Sequence, residues 1–378
     1  MLKFNQAHRR PEFDGRSYYQ NSGLISTTVL GCCAQGLTVV SGVLEDRIMR
    51  ISHIVVAAAV FASVVQAKAA DPIRIAYQTP PSPSQVAIVD GAYEKATGAT
   101  IEWRKFESGA SVIAALASGA VDIGYAGSSP LAAGVTRGLP IKAFLIADLI
   151  GDAEALVVRN GAGIAEPKDL AGKKVAVPFV STTHYSLLFA LKHWNIDPAK
   201  VNILNLQPPE IAAAFARGDI DATYVWDPAL ASAKKTGKVL ITSSEVAKLG
   251  GPTFDAWIVR NDFAAKHPDV VKAFARVTLD TFARYRRDPS AFGPGTAEAK
   301  KIADFTGAKP EEVSEQIAGN YYPLAAEQAS DTLLGKGTVE AIKATAAFLK
   351  EQKKVDALLP SYDATVTVEF VKAVAASN

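Results

Sequence analysis

An eleven-residue stretch occurs twice in this chain. Ala-Leu-Ala-Ser-Gly-Ala-Val-Asp-Ile-Gly-Tyr at 115–125 returns as Ala-Phe-Ala-Arg-Gly-Asp-Ile-Asp-Ala-Thr-Tyr at 214–224, an offset of 99 residues. Each copy reads as the end of an apolar helix, a glycine suited to the helix C-terminus, and the start of a strand. Polar turn formers follow both, Gly127-Ser128-Ser129-Pro130 and Trp226-Asp227-Pro228. A unit repeated in this way predicts two similar α/β lobes. In open α/β sheets ligands sit outside the carboxyl ends of the strands, so a site belongs in these loops. If the lobes face one another, the loops form the walls of one cleft.

The pattern around the repeat agrees with this. Strands are predicted at 73–77, 101–106, 121–125, 174–178, 202–205, 222–226 and 238–242, with helices at 84–96, 110–118, 184–193 and 211–217 between them. Beyond Asp262 the chain turns largely helical, and the 339–352 helix, with Val339, Ile342, Ala346 and Leu349 on one stripe, is predicted to pack on the first lobe. Of 378 residues 49% are hydrophobic and 21% charged, which argues against a disordered polymer and a multi-span membrane protein. The length suits two domains, and a net charge of +2 makes no electrostatic case for nucleic acid.

Near the N-terminus, Arg50 and His53 precede the apolar run 54–65, and Ala67-Lys68-Ala69 places small residues where a signal peptidase reads. Twelve residues are too few to cross a bilayer, which takes about 20. The expectation is a cleavable signal over 49–69, translation starting at Met49, and 1–48 as a mis-assigned extension. Val29-Leu30-Gly31-Cys32 offers a competing lipoprotein box, but Ser26, Thr27 and Thr28 make a poor apolar region before it. Both cysteines, Cys32 and Cys33, fall in the removed part, leaving 309 residues without disulfide or thiol chemistry. A periplasmic location is expected.

No zincin, nucleophile-elbow, Walker A or dinucleotide-binding motif occurs, and His184, His193 and His267 are too scattered for a metal site. No cofactor is expected, and no catalytic residue. The strongest candidate segment is Ser181-Thr182-Thr183-His184-Tyr185, between a strand and a helix. Such a segment either caps the helix or, with the helix's free N–H groups, binds an anion. Gly127-Ser128-Ser129-Pro130 is a second segment of this kind, and with neither a Gly-rich loop nor a basic clamp nearby, a small singly charged oxyanion fits better than a polyphosphate. Gln78, at the end of the first strand, joins the same set. Asp255 sits in the apolar run Thr253-Phe254-Asp255-Ala256-Trp257-Ile258-Val259, where an unpaired charge is costly. It needs either a salt-bridge partner or a ligand ammonium. Asp227 and, more weakly, Glu154 are further acidic candidates, and Trp226 and Trp257 are candidate walls for a cation.

These residues resemble a known family. Trp103-Arg104-Lys105-Phe106, Gly127-Ser128-Ser129-Pro130-Leu131, Val175-Ala176-Val177-Pro178-Phe179, Ser181-Thr182-Thr183-His184-Tyr185-Ser186-Leu187-Leu188, Leu206-Gln207-Pro208-Pro209 and Tyr224-Val225-Trp226 are similar to segments of periplasmic taurine receptors of ABC importers. The resemblance runs from about Ile73 to the C-terminus and loosens after 262. The wider family takes alkanesulfonates and nitrate.

The resemblance implies the two-lobed periplasmic-binding-protein fold of type II, each lobe a mixed sheet flanked by helices, closing about two hinge crossings. Lobe one is then 70–158 plus 258–378 and lobe two 159–257, with crossings at 155–159 and 255–260. It further implies a monomeric, non-enzymatic receptor that hands its ligand to a permease with its ATPase. Ser128, Ser129, Thr182, Thr183 and His184 would hold a sulfonate, and Asp255 an ammonium. Trp226-Asp227-Pro228 departs from the taurine receptors, where a neutral residue often follows the tryptophan, and resembles the alkanesulfonate receptors. A general sulfonate receptor is the alternative, and an enzyme on this fold is the reading from another class.

Overall fold

The repeated unit folds the same way twice. The structure, a computed structural model, describes residues 71–376. The expected signal at 49–69, the segment 1–48 and both cysteines lie outside the described residues. In the first lobe β1 (Ile73–Tyr77), β2 (Ile101–Lys105) and β3 (Ile123–Gly127) run parallel in the order β2-β1-β3. Two strands of different sheets follow, β4 (Ile141–Ile150) in the first lobe and β5 (Glu154–Arg159) in the second. The second lobe then repeats the pattern with β6 (Lys174–Val177), β7 (Asn202–Asn205) and β8 (Ala222–Trp226), parallel in the order β7-β6-β8. Its edge strand is β9 (Gly237–Thr242).

The sheets are completed by an exchange. β10 (Phe254–Arg260) runs antiparallel between β3 and β4, and β11 (Asn320–Tyr321) lies outside β4, giving β11-β4-β10-β3-β1-β2. The second sheet, β7-β6-β8-β5-β9, has β5 antiparallel to β8 and β9. Each lobe is therefore a mixed sheet flanked by helices, as type II expects. The crossings are not in the strands expected to carry them. β5 pairs only in the second sheet and β10 only in the first, so the chain changes lobes at 151–153 and 249–253, ahead of the boundaries expected at 158/159 and 257/258. The amide of Ile150 donates to the carbonyl of Thr253 at 3.1 Å and ties the two crossings together.

Burial explains the apolar runs. On β5, Ala155 and Val157 pack into one cluster with Phe215, while Leu156 and Val158 pack into another with Leu187 and Tyr224. A strand covered on both faces loses the polar alternation of a half-exposed one. The same holds for β4, whose ten residues are largely buried; it is the element the pattern does not announce. The helix predicted at 84–96 is two, Ser84–Val89 and Ala92–Thr97. Gly91, at φ 64°, takes the left-handed conformation between them.

The Gly337–Glu351 helix buries Ile342, Ala346 and Leu349 in lobe one, as its stripe predicts. It also reaches lobe two. Phe348 meets Tyr185 edge-on at 4.9 Å, and Glu351 pairs with Lys192 at 2.8 Å. Among the described residues no helix is long and apolar enough to cross a membrane.

Candidate functional site

The carboxyl ends of the parallel strands in the two lobes face each other across one cavity. Lobe one brings Gln78 from the end of β1, Gly127 from the end of β3 and Asp255 from the start of β10. Lobe two brings Thr182 at the head of the Thr182–His193 helix, Trp226 and Asp227 from the end of β8, and Glu154 from the start of β5. The register fixes these neighbours: Asp255 lies opposite Gly127 and Glu154 opposite Trp226. The lobes stand close together here, leaving a free volume of about 30 Å³ between these residues. Where lobes meet, a Cβ on Gly127 would lie 2.5 Å from Thr182 Cγ2, so glycine permits this approach.

The cavity is acidic and has no cation of its own. Asp255, Asp227 and Glu154 line it, and no Lys, Arg or His does. The Tyr125 hydroxyl donates to Asp255 Oδ2 at 2.7 Å and also stands 3.1 Å from Asp148 Oδ2 behind it. Burial pushes Asp255 up to about 6, against the Tyr125 hydrogen bond that favours its charge. Burial and then the charge of Asp255 hold Asp148 well above the carboxylate range, and Asp148 Oδ1 is buried without a partner. Glu154 is pushed up to about 8, by burial first and by Asp255 second. Asp227 rises to about 6 through burial, while its Oδ1 accepts the Ala231 amide at 2.9 Å.

Next to Asp255, across Gly127, is the head of the Thr182–His193 helix, whose first amides have no acceptor within the helix and carry its positive dipole end. A donor-rich helix terminus beside a half-buried carboxylate with no cationic partner suits a small molecule with an anionic and a cationic end.

Comparison with known proteins agrees with this geometry. Residues 71–283 match the model of the substrate-binding domain of ABC-type glycine betaine transport systems. The chain is 49% identical over 300 residues to the taurine-binding periplasmic protein of Escherichia coli K12, covering 79% of this chain and 92% of that one. The chain belongs to the substrate-binding proteins of ABC transporters. The alkanesulfonate-binding protein SsuA from Xanthomonas axonopodis pv. citri shares the fold at TM-score 0.63 and 24% identity, covering 79% of this chain and 97% of that one. The desulfurization enzyme DSZB does too, at TM-score 0.57 and 14% identity, covering 81% and 99%. The fold alone therefore does not separate receptors from enzymes.

In this substrate-binding protein, Gln78, Gly127, Ser181, Thr182, Trp226, Asp227 and Asp255 line the cavity together. Four predicted residues do not. Ser128 and Ser129 are buried at the head of the Ser128–Thr136 helix, and the Thr183 hydroxyl is held 2.7 Å from Ser181 Oγ. His184 turns away: its Nδ1 accepts the Val180 amide at 3.1 Å and its ring stacks on Phe179 at 4.7 Å. Burial lowers it to about 4, so it is neutral and cannot pair with an anion. The Ser181 hydroxyl caps the helix, accepting the His184 amide at 3.0 Å and donating to the Pro178 carbonyl at 2.6 Å.

Trp257, a predicted cation wall, packs in the core edge-on to Tyr125 and Phe274. Conversely, Tyr125 and Gln316 line the cavity without having been predicted. Tyr125 closes the first copy of the repeat, a signal that was available. Gln316, both of whose amide atoms are buried and unpartnered, comes from the helical remainder, where no motif marks it. Among the described residues no cluster of His, Cys, Asp or Glu is placed to hold a metal.

Proposed function

We propose that this chain is a periplasmic receptor that captures taurine between its lobes and delivers it to the permease of an ABC importer. The observation that carries this is Asp255, a half-buried carboxylate in a cavity without a cation, beside the head of the Thr182–His193 helix. Asp255 takes the ligand's ammonium; the Thr182 hydroxyl and the first-turn amides take the sulfonate, with Trp226 as a wall. The name of the E. coli relative supports the ligand. A plain alkanesulfonate leaves Asp255 unpaired, and a trimethylated ammonium has no N–H to give it. The receptor acts as a monomer without catalysis, and 49–69 directs its export.

The test is thermal melting of the chain from Ala70 with taurine, ethanesulfonate, nitrate, β-alanine and glycine betaine at equal concentration. A ligand at a hundred times its Kd adds about 2.7 kcal/mol of stability. Stabilisation by taurine above all others is expected; an equal or larger shift with ethanesulfonate would make this a general sulfonate receptor.

His184 has a structural part to play. Val180 sits at φ 63°, a conformation disfavoured for a β-branched residue, and its amide is held by His184. His184→Leu is expected to lower stability to urea by about 1–3 kcal/mol and to leave taurine affinity within a few-fold of wild type. A large loss of affinity with unchanged stability would return His184 to the site.

A further inference from the structure

Glu154 and Asp255 both line a cavity that, on the taurine reading, takes a sulfonate, and no cationic side chain lines its walls. Two neighbouring carboxylates in such a place do not both ionise. Their surroundings separate them. Asp255 accepts the short bond from Tyr125, as a charged carboxylate does, and keeps part of its surface open to the cavity. Glu154 is more deeply buried and ends a chain of hydroxyl groups. Tyr224 Oη lies 2.9 Å from Ser243 Oγ, Ser243 Oγ lies 3.2 Å from Glu154 Oε2, and Glu154 Oε1 lies 2.5 Å from Thr182 Oγ1. All four residues are buried, and all four belong to lobe two.

We propose that Glu154 is held as a neutral acid that donates its proton to Thr182 Oγ1, which leaves the Thr182 hydroxyl hydrogen free for the ligand's anionic group. The inference rests on the taurine reading and adds a positioning residue to it. Tyr224 donates to Ser243, Ser243 donates to the carbonyl oxygen of Glu154, and the acid hydrogen on Oε1 fixes Thr182 as a donor into the cavity. Ionised, Glu154 would accept the Thr182 hydrogen instead and set a second negative charge beside the sulfonate. The groups acting on Glu154 are Asp255 from β10, the hydroxyls of Thr182 and Ser243, Asp148 from β4 and Tyr224 from β8; Asp227 shares the cavity. Glu245 is turned to the Thr242 amide, capping its own helix. Burial and Asp255 raise the Glu154 carboxyl to about 8, in keeping with a neutral acid at neutral pH.

Glu154→Gln separates the two states, because the amide keeps a donor for Thr182 and cannot ionise. Taurine affinity is measured by calorimetry for wild type and variant from about pH 7 to about pH 9, a window that spans the titration. The ligand's amine titrates alike in both experiments, so the ratio of affinities isolates Glu154. The ratio is expected within about threefold of one at pH 7, growing about tenfold per unit above pH 8 as only the wild type weakens. A loss above tenfold in the variant at pH 7 would show that a charged carboxylate is needed, and a ratio flat with pH would also overturn the proposal.

A second readout needs no ligand. The infrared difference between unliganded wild type and Glu154→Gln at pH 7 is expected to contain the carbonyl band of a protonated acid. Absence of that band overturns the proposal, whereas the band together with no taurine binding by wild type removes the ligand and leaves the neutral acid standing.

Discussion

Asp255→Ala is expected to weaken taurine binding by at least about a hundredfold while changing ethanesulfonate affinity by less than about fivefold. Truncating one member of a buried, hydrogen-bonded charge pair costs about 2–5 kcal/mol, because the remaining charge is left without a partner in a dry site. Here the remaining charge is the ligand's ammonium, which ethanesulfonate lacks. The neighbouring carboxyls do not replace Asp255: Asp148 lies behind Tyr125, and Asp227 is engaged by the Ala231 amide. Equal losses for the two ligands, measured by calorimetry, would make Asp255 a structural residue.

The same carboxyl sets an acid limit. Burial pushes the unliganded Asp255 carboxyl up to about 6, and an ammonium would pair with its ionised form. Taurine affinity is therefore expected to fall as pH drops through 6, by about tenfold per unit below it. The sign for folding runs the other way. A carboxyl raised from 3.8 to about 6 holds a proton that the unfolded chain releases. Its contribution to unliganded stability is complete below 3.8 and lost as pH rises through 6.

Gly127→Val is the second large effect, for a different reason. The added Cβ would lie 2.5 Å from Thr182 Cγ2 and 3.2 Å from Asp255 Oδ1. Thr182 cannot swing aside cheaply, since its hydroxyl is tied to buried Glu154 at 2.5 Å. Gly127 itself has an ordinary extended backbone, φ −69° and ψ 164°, so the substitution does not strain the strand. The severe clash, with Thr182, is between lobes and is relieved by opening them; the contact with Asp255 lies within lobe one and needs only a small turn of its carboxylate. Taurine affinity is expected to fall by about a hundredfold or more, with unliganded stability within about 1 kcal/mol of wild type, a pairing that hinge closure predicts. Small-angle scattering should show a variant that stays expanded when taurine is added; compaction like that of wild type would refute the mechanism.

Much of this architecture was legible in the chain, because its elements carry their own punctuation. The repeat ends each helix at a glycine and opens each strand with alternating apolar residues, and β8 falls where 222–226 was expected. What escaped notice was covered on both sides. β4 is apolar nearly throughout, so no period distinguishes it, and β5 and β10, both strand-like in sequence, carry the crossings only in what the family resemblance implies. The site divided in a similar way. Asp255 stood out as a charge in an apolar run. Ser181 and His184 were also prominent, yet their polar atoms are used up in shaping the turn at Val180. Gln316 lies in a helix that no motif marks, and only the folded chain brings it to the cavity.

The paired crossings have a mechanical consequence. Lobe two is a single excursion of chain, leaving lobe one after Ile150 and re-entering at Phe254, and the Ile150–Thr253 bond together with the β4–β10 ladder staples the exit to the entrance. A tension applied at Asp71 and Ala376 is carried by strands and helices of lobe one alone until that ladder parts. Lobe two then behaves as slack held in reserve: shielded from load while its host stands, and drawn taut only after the host has failed.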